Sequence, residues 1–159
     1  IERYESLKTE IEKIMPELLA KFHSTKERDV FEVYKGKNGY SAMVLDILGE
    51  KPKYWKGFGN LQVYEFFPYD CPKWFKDVKF MLFSTKSNVV LKRLKFATKS
   101  TNVKIKWLPK DLYMPIVWTL FGENLLILIY EPDIIALRIK SKQIVNTFSN
   151  QFHYLWEKV

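Results

Sequence analysis

IVWTLFGENLLILIYEPDIIALRI, residues 116–139, decides the fold. Ile116–Phe121 is an apolar run rich in β-branched and aromatic residues, and Gly122-Glu123-Asn124 is turn chemistry. Leu125–Tyr130 is a second such run, so the pair predicts a β-hairpin. Pro132-Asp133 breaks the chain again, and Ile134–Ile139 predicts a third strand close behind. All three runs are too short for a membrane helix of about 20 apolar residues. A cluster of strands this tight argues for antiparallel neighbours.

Outward from this cluster the pattern changes. Downstream, Ser141 is a candidate N-cap for a closing helix whose apolar face is Ile144, Phe148, Phe152 and Leu155, with Trp156 beside it. Upstream, strand and helix patterns alternate. Val30–Tyr34 predicts a strand and Gly36–Gly39 a turn. Tyr40–Leu48 predicts a helix, with Met43, Val44, Ile47 and Leu48 at helical spacing and Gly49 as its stop. Tyr54–Phe58 reads as a strand, Leu61–Val63 as strand-like, and the aromatic, proline-rich Pro68–Lys76 as a loop with a short helix. Lys79–Phe83 predicts a buried strand. Ser87 or Asn88 caps a helix to about Lys99, and Val103–Trp107 is a strand with Lys104 and Lys106 on one face. Early alternation with a late strand cluster predicts an α/β fold whose mixed sheet is partly parallel.

The first 22 residues form a different kind of element. Tyr4, Leu7, Ile11, Ile14 and Leu18 are spaced 3, 4, 3, 4, which is the seam spacing of a coiled coil. Residues 1–23 are therefore expected to be a dimerisation helix, kinked or restarted at Pro16, and residues 24–159 an α/β regulatory domain. The chain opens on Ile1 rather than Met, so a preceding segment is expected.

Of 159 residues, 47% are hydrophobic and 16% aromatic, enough for one core and against disorder. Cys71 is the lone cysteine, which excludes an internal disulfide or cysteine zinc cluster and fits a reducing cytoplasm. Charges run through Ile1–Phe22, so this stretch is not expected to be a signal peptide. The net charge is +8, but Val78–Lys110 holds nine cations and no acid. That stretch is either a solvated basic face or a surface for anions or nucleic acid. Tyr54, Trp55, Phe58, Tyr64, Phe66, Phe67, Tyr69, Trp74 and Phe75 crowd together as core packing or a pocket wall.

The catalytic inventory is thin. His23 and His153 are the two histidines, neither in a metal-ligand spacing, and no glycine-rich phosphate loop or Gly-x-Ser-x-Gly elbow appears. No catalytic residue, metal or cofactor is expected, and the domain is expected not to be an enzyme.

Val33-Tyr34-Lys35-Gly36-Lys37-Asn38-Gly39-Tyr40 with Met43–Leu48 resembles the first strand–helix unit of TrmB-type archaeal transcriptional regulators. Ile105-Lys106-Trp107-Leu108-Pro109, the Phe121–Tyr130 hairpin and the closing Ile144–Trp156 helix are similar to later elements of that family in order. The resemblance implies a phospholipase-D-like mixed sheet flanked by helices. It also implies a dimerising helix and a DNA-binding winged helix before residue 1. The phospholipase D reaction needs His-x-Lys-x-x-x-x-Asp, and neither His23 nor His153 opens that motif. The expectation is thus a homodimeric, effector-sensing module of a DNA-binding regulator. A nucleic-acid-binding domain using residues 78–110, or an unrecognised phosphodiesterase, is the rival. Ligands of open α/β sheets collect beyond the carboxyl ends of strands. Lys35 and Gly36, Gly57 and Gly59, and Thr85, Lys86, Ser87 and Asn88 are therefore the candidate ligand site, suited to a small anionic effector.

Overall fold

The computed structural model describes residues 1–23, 29–59, 75–88, 92, 102–112 and 114–159, with backbone only at 18–23 and 102. Helix α1 is Glu2–His23, followed by β1 (Val30–Lys35), α2 (Gly36–Gly49), β2 (Tyr54–Gly59), β3 (Lys79–Thr85) and β4 (Asn102–Leu108). Then come β5 (Ile116–Phe121), β6 (Asn124–Ile129), β7 (Ile135–Lys140) and α3 (Lys142–Lys158). The strands form a seven-stranded sheet in the order β1-β7-β6-β5-β2-β3-β4. β2, β3 and β4 are parallel, and every other pairing is antiparallel. The mixed sheet and late antiparallel cluster are as the sequence predicts. The expected Leu61–Val63 strand, the Pro68–Lys76 loop up to residue 74 and nearly all of the 87–99 helix lie outside the described residues.

One face of the sheet packs on α2. Tyr40, Met43, Val44 and Ile47 fall at i, i+3, i+4 and i+7, and all four are fully buried. They meet Val117, Leu126, Leu128 and Ala136 from the strands, with an aromatic group of Trp55, Phe75, Phe80 and Phe121 alongside. The opposite face packs on α3. There Phe83 contacts Phe152 and Trp156, and Trp118 contacts Phe148 and Phe152. The alternation of side chains along each strand thus builds two cores on one sheet.

Three local expectations change. Gly36–Gly39 is the first turn of α2 rather than a free turn: Gly36, at φ +74, swings the chain off β1 and donates its N–H to Ile134 O at 2.8 Å. Pro16 does not restart α1, which is continuous through it to His23. Ser141 takes the N-cap position of α3, but its side chain makes no capping hydrogen bond.

Candidate functional site

Helix α1 presents its seam to solvent. Tyr4, Leu7, Ile11 and Ile14 are 77, 54, 55 and 52% exposed, so the domain itself does not bury them. Between them stand charged residues that keep the helix soluble, including Lys8, Glu10, Glu12 and Lys13. The side chain of Leu18, the fifth seam position, lies outside the described residues.

The strand-end residues are only partly brought together. Gly59 pairs with Ser84, whose Oγ–H donates to Gly59 O at 3.3 Å, so the ends of β2 and β3 are adjacent. Thr85, exposed Lys86, Ser87 and Asn88 continue from β3 at that edge. Lys35 and Gly36 lie on the same edge but do not join them. Three strands intervene between β1 and β2, and four steps of about 4.8 Å put them about 19 Å apart. Gly57 sits inside β2 opposite Thr119 of β5, where its backbone is in close contact with that strand.

A charged cluster that sequence reading missed lies under α2. The Arg138 side chain is 7% exposed. Its Nε–H donates to Asn124 Oδ1 (2.9 Å), its Nη1 to Asp46 (2.5 Å) and Glu32 (3.3 Å), and its Nη2 to Glu50 (2.7 Å). Asn124, fully buried, donates to the other Glu50 oxygen at 3.0 Å, and Lys140 donates to Glu50 at 3.0 Å. Burial alone would push the Glu50 carboxyl up. Hydrogen bonds from Lys140 and Asn124, with the charges of Lys140 and Arg138, outweigh that and hold it below its ordinary value. The hydrogen bond to Glu32, then burial, raises the Tyr34 hydroxyl. These groups tie β1, α2, β6 and β7 together, and their arrangement is that of a structural clamp. Its signal in the sequence was parity: Arg138 shares the inward register of Ala136.

On the α3 face, Lys56 Nζ stands 3.2 Å from His153 Nε2. Burial first, then the Lys56 charge, lowers the His153 pKa, so its imidazole favours the neutral form. Lys104 and Lys106 share a face as predicted, but their tasks differ. Lys106 donates to Trp156 O and to Val159 O at the end of α3, where a cation is favoured by the helix dipole, and its ammonium lies 4.9 Å from the Trp156 ring centre. Lys104 is exposed. Among the described residues no group of three or more His, Cys, Asp or Glu side chains is arranged to hold a metal, and no helix is long and apolar enough to cross a membrane.

No family model and no curated protein matches the chain. Solved structures of similar fold include two proteins. TrmBL2, an archaeal chromatin protein whose structure shows a novel mode of DNA binding, is similar with a TM-score of 0.56 at 16% identity. That likeness covers 99% of this chain and 63% of TrmBL2, so the chain spans less than two thirds of that protein. NucT from Helicobacter pylori is similar with a TM-score of 0.54 at 9% identity, over 82% of this chain and 97% of NucT. The fold is thus the phospholipase-D-like α/β fold that the resemblance implied. The expectation that such a domain is not an enzyme is corrected by the same finding, because in NucT this fold belongs to a nuclease.

Proposed function

We propose that this chain is the dimerising, effector-responsive part of a DNA-binding regulator. The observation that carries the reading is the exposed seam of α1 on a domain whose fold is that of a chromatin protein along 99% of its length. Apolar side chains at 3-4 spacing that the domain leaves in water fit a second copy of the same helix. Burying the exposed half of each of Leu7, Ile11 and Ile14 contributes about 1 kcal/mol. Replacing Ile11 and Ile14 together by Glu should convert a dimer into a folded monomer in sedimentation analysis, with the circular dichroism of the α/β domain retained. A double variant that stays dimeric refutes this interface.

In such a dimer a ligand acts by favouring one of two arrangements. The ends of β2 and β3, with Gly59 and Thr85–Asn88, are the part of the strand edge that supports an effector site, and Lys86 suits an anion there. A phosphorylated or carboxylated metabolite that binds should raise the melting temperature by mass action. Lys86→Ala should remove most of that rise and leave the unliganded melting temperature unchanged, as expected for an exposed side chain. An equal rise in parent and variant rules out Lys86 as the anchor.

A further inference from the structure

The opposite edge of the sheet, at the start of the parallel strands, carries a basic groove centred on Tyr54. Tyr54 is 43% exposed at the first position of β2. Lys56 and Lys79 lie 4.7 and 5.8 Å from its ring centre, so one aromatic ring gathers two ammonium groups from adjacent strands. Two cavities, of about 600 and 180 Å³, meet there and share Tyr54 and Lys79 in their walls. Lys51 and Lys53, from the loop entering β2, line the larger one, and Lys104 of β4 lines the smaller.

Register explains the grouping. Tyr54 pairs with Lys79, and Lys56 pairs with Met81, which pairs in turn with Lys104. Alternate residues of neighbouring strands face the same side, so these cations form a patch across three strands. Among the described residues its ammonium groups form no ion pair. Among the described residues no carboxylate lies within 4 Å of Lys51, Lys53, Lys56, Lys79 or Lys104, and Asp77 is the one acid lining either cavity. The carboxylates of Glu32, Asp46 and Glu50 are instead drawn to Arg138. Lys51 also holds a left-handed backbone conformation, φ 54, where a glycine would be less strained, so a cation is placed there at some cost.

We infer that this groove binds the phosphodiester backbone of double-stranded DNA, independently of base sequence. Several ammonium groups without an ion-pair partner among the described residues, along a concave surface, match a polymer carrying one negative charge per phosphate. Among the described residues no side chain lining the groove is of the planar, two-pronged kind that reads base edges. The inference goes beyond the pairing of α1 and does not rest on it.

The test is fluorescence anisotropy of the whole chain with a labelled duplex of mixed sequence, across a salt series. Binding should weaken with salt, and the slope of log K against log salt should be similar for unrelated duplexes. Lys79→Gln with Lys104→Gln should reduce that slope by about two, one per lost phosphate contact. Lys8→Gln with Lys110→Gln removes the same charge at exposed positions outside the groove and should leave the slope near the parent's. Lys79→Arg with Lys104→Arg should bind as the parent does, which separates charge from misfolding. Absence of binding at low salt, equal losses from both glutamine pairs, or stronger binding to phosphatidylserine vesicles than to the duplex would overturn the assignment.

Discussion

Arg138→Ala should lower the stability of the domain by about 3 kcal/mol at neutral pH, measured by urea denaturation. Removing one partner of a buried charge cluster typically costs about 3–5 kcal/mol, because the groups left behind remain desolvated and unpaired. The lower end applies here, since the Asp46 side chain is 66% exposed and that of Glu32 40%, and water relieves both. What remains is costly enough. Glu32, Asp46 and Glu50 converge on the vacated space, and buried Asn124 loses the donor at its Oδ1. Arg138→Met should recover packing but not stability, for the same reason.

Acid should narrow the difference between parent and variant. In the parent, Glu50 titrates below its ordinary value of 4.5. The stability it contributes is therefore whole above pH 4.5 and is lost as pH falls through the lower folded value. In Arg138→Ala one of the two cations beside Glu50 is gone, Lys140 remains, and the carboxylates of Glu32 and Asp46 lose their shared partner, so protonation relieves repulsion. Urea titrations at pH 7 and pH 3 should show a large gap at the first and a much smaller one at the second. An unchanged gap would show that the clamp acts through packing rather than charge.

Much of the local structure is legible in residue order alone. The spacing of Tyr40, Met43, Val44 and Ile47 is a helix face, and Gly122-Glu123-Asn124 between apolar runs is a hairpin. What a local pattern does not hold is strand order. Val30–Lys35 is the first strand in sequence but an edge strand in space, paired with the last, β7. That pairing spans more than a hundred residues, and no window of sequence reports it. The consequence fell on the candidate ligand site, where Lys35 and Gly36 were grouped with residues four strand steps away. The Arg138 clamp was hidden for the same reason: Glu32, Asp46, Glu50 and Asn124 are distant in sequence and meet once β1, α2, β6 and β7 are assembled. The basic stretch was legible as composition but not as geometry. Lys79 and Lys104 enter the Tyr54 groove, Lys106 ends a helix, and Lys56, outside the stretch, joins the patch.

Gly57 shows how a residue read as part of a ligand edge can be explained by packing. It lies in β2 between β3 and β5, paired with Leu82 on one side and Thr119 on the other, at φ +147. A Cβ added there would stand 2.5 Å from Trp118 O and 2.6 Å from Thr119 Cα. Both are backbone atoms of a central strand, so relief requires β5 to move rather than a side chain to rotate. The φ itself is also one that a residue with a Cβ adopts only with strain. Gly57→Ala should therefore cost about 3 kcal/mol, the sum of backbone strain and overpacking. For a domain of this size that is a fall in melting temperature of about 10 °C. Gly49→Ala is the matching control. Gly49 has nothing within 4 Å of an added Cβ and no positive φ, and it closes α2. Alanine there should be neutral or raise stability by about 0.5–1 kcal/mol through helix propensity. If Gly57→Ala melts with the parent, the close approach of β2 to β5 is not a constraint, and Gly57 becomes free to be considered for the ligand edge again.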